Sequence, residues 1–233
     1  NQQDFPICVP IATQLLHATG IAYAIKYRKE KRAVVTTIGE GGSSKGDFYE
    51  AINLAGALNL PVVFVINNNQ WAISTPREEQ TNCKTFAQKA IAAGIEGVQT
   101  DGNDVVAMSH VMHCALSKAR SGKGPTLVEA ISYRLCDHTT ADDATRYIPQ
   151  DQFDHAKKFE PLLRLKKYLT AQKCWSEKQD KALTEKLHGD VENIVKRFLE
   201  KPKPQARDMF DHLYETLPEA LAWQRDEVEA NQS

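Results

Sequence analysis

The run from Val62 to Ile66 constrains the fold of this 233-residue chain more than any other segment. It follows Pro61 and reads VVFVI, so it is apolar at every position. A strand without polar alternation is covered on both faces, as in a parallel sheet that lies between layers of helices. The β-branched segment from Ala33 to Ile38 and the segment from Thr126 to Ile131 have the same character. These three runs predict a buried sheet.

Segments with a helical spacing of apolar residues alternate with these strands. They are residues 11–27, 48–58 and 104–121. A further short strand is predicted at 97–100, and Ser44 or Asp47 is expected to cap the start of the second helix. Regular alternation of strand and helix predicts an α/β fold with a doubly wound, mostly parallel sheet.

The composition and the periodicity of the sequence change towards its C-terminal end. From Phe153 onward it is charged and helical, and the prolines of Lys201–Pro204 should end one of these helices. We therefore predict an α/β domain at 1–150 and a helical C-terminal region at 151–233, which packs on the body and on a partner subunit. The chain starts without Met and reaches fold-like sequence by Ile7, so we expect a fragment.

Composition narrows the range of partners and compartments. A net charge of −1 gives no indication of a nucleic-acid partner. Five cysteines without a CxxC spacing favour free thiols in a reducing compartment. No apolar run approaches the roughly 18 residues of a membrane span, and no signal peptide is visible. We expect no membrane association and a location in the cytoplasm or an organelle matrix.

An acid and an amide follow two of the predicted strands. Glu40 and Asn69 are 29 positions apart, and each lies where a strand ends. In an open α/β sheet, ligands bind at these ends. Gly41 and Gly42 leave backbone N–H groups free for an anion, and the main-chain carbonyl of Trp71 offers a third oxygen to a cation. This donor set predicts a Mg²⁺ ion that carries a diphosphate.

Simpler interpretations of both turns stay open. Residues 39–42 (GEGG) could form an ordinary tight turn, and residues 67–69 (NNN) an ordinary polar one. A nicotinamide dinucleotide site is disfavoured, because Ser44 stands where the GxGxxG pattern needs its third glycine and no acid ends the following strand.

His138 lies in a polar segment without helical or strand periodicity, residues 133–147. A single histidine in a loop is usually solvated. Here Asp137, Asp142 and Arg146 are close in sequence and could order the loop through Arg–carboxylate pairs. A histidine held in this way can bind a phosphate or move a proton.

Taken together, these motifs resemble the α subunit of the E1 component of 2-oxo acid dehydrogenase complexes. Gly39-Glu40-Gly41, followed after 26 residues by Asn68-Asn69, resembles the thiamine diphosphate motif of that family. The segments 69–76 (NQWAISTP) and 134–143 (RLCDHTTADD) resemble two further family motifs, and the tail from Lys201 to Pro204 matches a third. The resemblance extends over essentially the whole chain.

The resemblance implies a role for each site residue. Mg²⁺ would be held by Glu40, Asn69 and the main-chain carbonyl of Trp71. Thiamine diphosphate would be bound by Ile11, Gly39, Gly41, Gly42, Asn67 and His138. His138 would also be catalytic, in a loop that meets the lipoyl acceptor, and Ile11 would brace the bent cofactor. A potassium ion would be held by Pro10, Thr13 and Gln14.

The implied reaction is the thiamine-diphosphate-dependent oxidative decarboxylation of a 2-oxo acid, with transfer of the acyl group to the lipoyl group of E2. The family's α subunit works in an α2β2 heterotetramer, and its β subunit supplies an activating glutamate. From the resemblance we expect this chain to lack the N-terminal section of the family's α subunit. Thr139 aligns with a position that is phosphorylated in some eukaryotic members. A bacterial cytoplasm is the expected location, with the mitochondrial matrix as the alternative.

Two questions remain open at the level of sequence. Asp137 replaces a frequent second histidine, and Asn67 replaces a residue that is often Arg or Glu, so a catalytically impaired regulatory or assembly subunit is an alternative. Glu40 and the tail at 201–204 resemble the members of the family that act on branched-chain 2-oxo acids. The segment 85–104 is more similar to bacterial pyruvate enzymes, and we slightly favour pyruvate.

Overall fold

The structure is a computed structural model that describes residues 4–5 and 7–231. The chain forms two compact units, divided after Cys174. The sequence had predicted a boundary after residue 150. The helices between 150 and 171 belong with the first unit, in part because Arg164 donates to Asp101 at 2.7 Å and to Asp104 at 3.3 Å.

A parallel sheet forms the centre of the first unit. The strands of the described residues are β1 (Val34–Gly39), β2 (Val62–Asn68), β3 (Trp71–Ala72), β4 (Thr75–Pro76), β5 (Glu96–Asp101) and β6 (Thr126–Ile131). The sheet has the order β1–β2–β6–β5 and all its pairs are parallel, whereas β3 and β4 form a separate antiparallel hairpin. In the register of the sheet, Gly39 lies opposite Asn67, so β1 and β2 end side by side. The predicted parallel sheet is confirmed.

Helices cover both faces of this sheet. The helices of the first unit are α1 (Thr13–Tyr27), α2 (Gly46–Ala57), α3 (Arg77–Gln80), α4 (Lys89–Ala92), α5 (Val105–Arg120), α6 (Gln150–Lys157) and α7 (Pro161–Ala171). Phe64 and Ile66 of β2 belong to a core shared with α1 and α2, while Val63 and Val65 belong to a second core shared with α5. The run without polar alternation is therefore explained, and the doubly wound fold is confirmed.

The start of α2 differs from the sequence-based expectation. Neither Ser44 nor Asp47 caps it, since the N-cap position is Lys45 and no side chain accepts a hydrogen bond there. The reason is a 3₁₀ turn at Glu40–Ser44 that runs directly into the helix, in which the N–H of Lys45 donates to the carbonyl of Gly42 at 3.1 Å. That prediction of a cap was wrong.

The second unit is helical, as the sequence predicted for this part of the chain. It contains α8 (Glu177–Leu199), α9 (Asp208–Asp211) and α10 (Glu219–Ala230). A capping box between Ser176 and Gln179 starts α8, which ends before Pro202. Among the described residues, none of the helices combines the length and the apolar character needed to cross a bilayer.

Candidate functional site

Glu40 is a carboxylate that the fold buries directly after β1. Its side chain is 1% exposed, at the first position of the 3₁₀ turn. One oxygen, Oε2, accepts the main-chain N–H of Asn69 at 3.3 Å, and Oε1 accepts Nε2 of Gln80 at 3.5 Å. Burying a carboxylate is costly unless it is paired or binds a cation. Both donors are neutral and both hydrogen bonds are long, so the carboxylate oxygens can still coordinate a cation.

Asn69 and Trp71 form the other half of the cluster. The side-chain oxygen of Asn69 accepts the N–H of Trp71 at 3.1 Å, which turns the chain sharply after β2. Gln70, between them, has a left-handed backbone with φ of 74°. The hairpin of β3 and β4 begins at this point. Glu40, Asn69 and the backbone of Trp71 are thus held on one pair of adjoining turns, as the sequence predicted for the strand ends.

The glycines of the first turn are required by close contacts. A Cβ on Gly41 would lie 2.6 Å from Cβ of Ala72, and a Cβ on Gly42 would lie 2.7 Å from the side chain of Ile38 and 3.0 Å from Cγ2 of Ile11. Any larger residue would push these neighbours away. The packing of the protein itself therefore favours glycine at both positions.

An unpaired acceptor lies in the same cluster. The amide nitrogen of Gln80 donates to Glu40 and, at 3.3 Å, to the carbonyl of Thr75, while its oxygen Oε1 is buried without a hydrogen-bond partner. A carboxylate with an unpaired amide oxygen nearby is an arrangement that favours binding of a cation. Together with the bare turn of glycines, this donor set fits a magnesium diphosphate group.

Arg134 joins this cluster to the loop that contains His138. Its guanidinium donates to the carbonyl of Trp71 at 3.3 Å and to that of Ile73 at 2.8 Å. It also donates to the hydroxyl of Tyr147 at 2.5 Å, and this hydroxyl donates to Oδ2 of Asp142 at 2.5 Å. Arg134 is 8% exposed, whereas Tyr147 and Asp142 are half-buried, so the connection between the two loops is buried at Arg134.

The charges of this network shift two pKa values. The Tyr147 hydroxyl and the N–H of His138 donate to Asp142, and both hydrogen bonds lower the pKa of that carboxyl. Burial and the hydrogen bond to Asp142 raise the pKa of Tyr147 to about 12, although Arg134 opposes this shift. Near neutral pH the network therefore holds an ionised Asp142 and a neutral Tyr147.

The structure fixes the backbone of His138 but leaves its side chain in solvent. The His138 N–H donates to Oδ2 of Asp142 at 2.8 Å, and the side chain is exposed. Within the described part of the chain, no hydrogen bond joins this side chain to Glu40 or Asn69. The neighbouring Asp137 accepts the N–H of Ala144 at 2.8 Å, so it has a structural use in this loop.

The remaining predicted residues lie around the cluster. Gly39 ends β1, and the exposed Asn67 accepts a hydrogen bond from Ser132 at 2.7 Å. Gln14 donates through Nε2 to the carbonyl of Thr37 at 3.1 Å, and its Oε1 is buried without a partner. The other predicted potassium ligands, Pro10 and Thr13, are linked by a backbone hydrogen bond of 3.3 Å at the start of α1.

Sequence reasoning missed two buried polar residues and one half-buried one beside this cluster. They are Gln80, Lys89 and Glu129. For Glu129 a signal existed, because an acid interrupts the apolar run TLVEAI of a strand buried on both sides. For Gln80 and Lys89 there was none, since polar residues in short helical segments are ordinarily solvated.

No group of three or more His, Cys, Asp or Glu side chains suited to a metal occurs in residues 4–5 and 7–231. A cation at this site would instead take one carboxylate, one amide and main-chain oxygens, a set more suited to Mg²⁺ than to zinc.

Comparison with known proteins decides the family. A family model described as dehydrogenase E1 component matches residues 3–207. The chain belongs to the dehydrogenase E1 component family. This confirms the resemblance that the motifs had indicated.

Two relatives of this chain within the dehydrogenase E1 component family are pyruvate dehydrogenase subunits by name. It is 41% identical over 215 residues to the pyruvate dehydrogenase E1 component subunit alpha of Staphylococcus aureus strain Mu50. It is 40% identical over 215 residues to the protein of the same name from Staphylococcus epidermidis. In both cases the match covers 92% of this chain but 58% of the relative, so the chain spans less than two thirds of their length.

Proposed function

We propose that this chain is the cofactor-binding part of the α subunit of a 2-oxo acid dehydrogenase E1 enzyme. The enzyme would decarboxylate a 2-oxo acid with thiamine diphosphate and pass the acyl group to the lipoyl group of E2. One observation carries the proposal, namely that Glu40, Asn69 and Trp71 are held on adjoining turns beside Gly41, where a Cβ would lie 2.6 Å from Cβ of Ala72.

In this proposal the metal and diphosphate are bound by the cluster described above. Mg²⁺ takes an oxygen of Glu40, the amide oxygen of Asn69 and the carbonyl of Trp71, and the N–H groups of Gly41 and Gly42 face the diphosphate. Thiamine diphosphate, when bound, supplies the electron sink for loss of CO₂. Gly39, Ile11 and Asn67 complete the proposed cofactor site.

His138 is proposed as the residue of this chain that holds or moves a proton at the reacting centre. Its position in an exposed loop suits contact with a lipoyl group brought by another protein. The hydrogen-bonded link from Arg134 through Tyr147 to Asp142 supports the role, because it connects the His138 backbone to the proposed metal site.

Partners and ions belong to the same proposal. The relatives' name, E1 component subunit alpha, supports assembly with a β subunit, as an α2β2 heterotetramer, and with E2. The helical region at 151–233 is proposed to contact the partner subunit. The unpaired oxygen of Gln14 supports a potassium site with Pro10 and Thr13. A bacterial cytoplasm remains the proposed location.

Pyruvate is the proposed substrate. The support is the name of the relatives at 41% and 40% identity, which act as components of pyruvate dehydrogenase. Branched-chain 2-oxo acids are the alternative. A comparison of kcat/KM for pyruvate and 3-methyl-2-oxobutanoate on the enzyme assembled with a β subunit would decide between them.

The central test is a binding and activity experiment on that assembly. Fluorescence titration should show saturable binding of thiamine diphosphate only when Mg²⁺ is present, and no comparable binding of NAD. Dye reduction should then depend on a 2-oxo acid. Cofactor binding without any turnover would favour the impaired regulatory subunit that Asp137 and Asn67 suggest, and absence of cofactor binding would refute the proposal.

A further inference from the structure

Lys89 is a buried lysine directly behind the turn that carries Glu40 and the glycines. It is the first residue of α4 and is 4% exposed. Its ammonium group donates to the main-chain carbonyl of Ser43 at 2.8 Å and to the Ser43 hydroxyl at 2.9 Å. Two of its three N–H donors are thus directed at a single residue of the turn.

No carboxylate balances this charge. Among residues 4–5 and 7–231, Lys89 lies within ion-pair distance of no Asp or Glu. Its ammonium instead lies over the rings of Phe48, Tyr49 and Phe86, at 5.6, 5.2 and 5.3 Å from their centres. Aromatic rings offset part of the cost of burying a cation, but a buried charge without an opposite charge remains unfavourable.

Ser43 connects the lysine to the proposed cofactor site. It is fully buried, and its hydroxyl donates to the main-chain carbonyl of Glu40 at 2.6 Å. Lys89 therefore fixes the position of Ser43 by hydrogen bonds. Ser43 in turn fixes the main chain of Glu40, the residue that would bind the metal. A carbonyl tied to an ammonium group is also kept from facing an incoming anion.

We propose that Lys89 is a positioning residue whose buried charge is balanced by the diphosphate of the bound cofactor. The inference rests on the proposed function, since it assumes a diphosphate at the turn of Glu40, Gly41 and Gly42. In the ligand-free protein this cation has no ion-pair partner among the described residues, and a polyanion bound at the turn would balance its charge. A purely structural lysine that joins α4 to the turn would give no such dependence on ligand charge.

Two neutral variants separate charge from hydrogen bonding. K89M removes both, whereas K89Q removes the charge and keeps an N–H donor for Ser43. Lys118 provides a matched control, because it is half-buried and donates to the carbonyl of Pro125 at 2.9 Å, on the side of the sheet formed by β5 and β6. The control variant is K118M.

The experiment measures dissociation constants on the assembly with a β subunit, with Mg²⁺ present, for thiamine, thiamine monophosphate and thiamine diphosphate. For both Lys89 variants we expect diphosphate binding to weaken by at least about tenfold, monophosphate binding to weaken less, and thiamine binding to stay unchanged. K118M should stay within about threefold of wild type for all three ligands. If K89M does not assemble with the β subunit, the titration of K89Q alone tests whether the charge contributes to diphosphate binding.

Equal weakening of all three ligands, or diphosphate binding by K89Q equal to that of wild type, would overturn the role of the charge. Failure of the wild-type assembly to bind thiamine diphosphate is a different result. It would refute the proposed function, and the role of Lys89 with it. The outcome for wild type therefore separates the two failures.

Discussion

The main-chain N–H of Asn69 donates to Oε2 of Glu40 at 3.3 Å, across 29 residues of sequence. This contact ties the turn after β2 to the turn after β1. It also orients a buried carboxylate whose other oxygen receives only a long hydrogen bond of 3.5 Å from Gln80. A carboxylate held in this way is available to a cation, and its replacement should affect ligand binding more than folding.

The first prediction concerns Glu40→Gln. The variant keeps the shape of the side chain and loses the charge that would bind Mg²⁺. Removing one partner of a buried, paired charge costs roughly 2–5 kcal/mol, so Mg²⁺-dependent binding of thiamine diphosphate should weaken by at least about thirtyfold. Fluorescence titration on the assembled enzyme measures this. Glu78→Gln, an exposed change in α3, is the control and should bind as wild type does. Equal affinities for E40Q and E78Q would exclude Glu40 as a metal ligand.

The second prediction concerns Gly41→Ala. Its new Cβ would lie 2.6 Å from Cβ of Ala72, so the hairpin that starts at Trp71 must shift. Overpacking of this kind costs about 1–3 kcal/mol, and we expect a lower Tm together with loss of cofactor binding. Gly46→Ala is the matched control, because a Cβ there meets nothing within 4 Å. The interpretation fails if G41A and G46A have the same Tm and the same affinity.

The sheet and half of the site were predictable because they follow from periodicity and strand direction. The apolar run of β2 indicates burial on both faces, and parallel strands end at one edge, so Glu40 and Asn69 had to lie close together. These inferences need no knowledge of side-chain packing.

Other features depend on tertiary contacts that periodicity does not encode. Lys89 follows a 3₁₀ turn at Phe86–Gln88 and contacts Ser43, which lies 46 residues earlier in the sequence. The expected cap at Ser44 or Asp47 was wrong for a similar reason, since the preceding turn continues straight into the helix. Sequence could suggest that Asp137 departs from a family pattern, but only the structure shows that it accepts the N–H of Ala144.

The third prediction concerns the titration of Tyr147. Burial and the hydrogen bond to Asp142 raise its pKa to about 12, above the ordinary 10.0. A raised pKa means that the neutral phenol is favoured in the folded state. Its contribution to stability is therefore complete below pH 10 and is lost as the pH rises towards 12. Ultraviolet titration of wild type minus Tyr147→Phe should give a phenolate step near pH 12, and a step near pH 10 would contradict the network.

The same substitution should loosen the loop of His138. Tyr147→Phe keeps the ring that lies 5.5 Å from the ring of Trp71 but removes the hydroxyl between Arg134 and Asp142. We expect faster tryptic cleavage after the exposed Arg146, measured by mass spectrometry of the fragments. Tyr168→Phe changes an exposed tyrosine of α7 and should leave the cleavage rate unchanged. Equal cleavage rates in the two variants would show that the hydroxyl does not order the loop.

The last prediction concerns Glu129, a carboxylate that is 1% exposed in β6. It accepts Nδ2 of Asn68 at 2.8 Å, the N–H of Ala87 at 3.0 Å and Nε2 of Gln99 at 3.1 Å. Glu129→Ala would leave the buried donors of Asn68 and Ala87 without an acceptor, and each buried unpaired group costs about 1–3 kcal/mol, whereas the exposed Gln99 can bond to water.

We therefore expect Glu129→Ala to lower the free energy of unfolding by at least about 2 kcal/mol in a denaturant titration. Because Asn68 precedes Asn69, the variant should also weaken Mg²⁺-dependent cofactor binding wherever it still folds. Glu96→Ala, at the exposed start of β5, removes a carboxylate that pairs with the partly exposed Lys118, and should cost less than about 1 kcal/mol. A cost for E129A no larger than that for E96A would mean that the buried carboxylate does not hold the turn after β2.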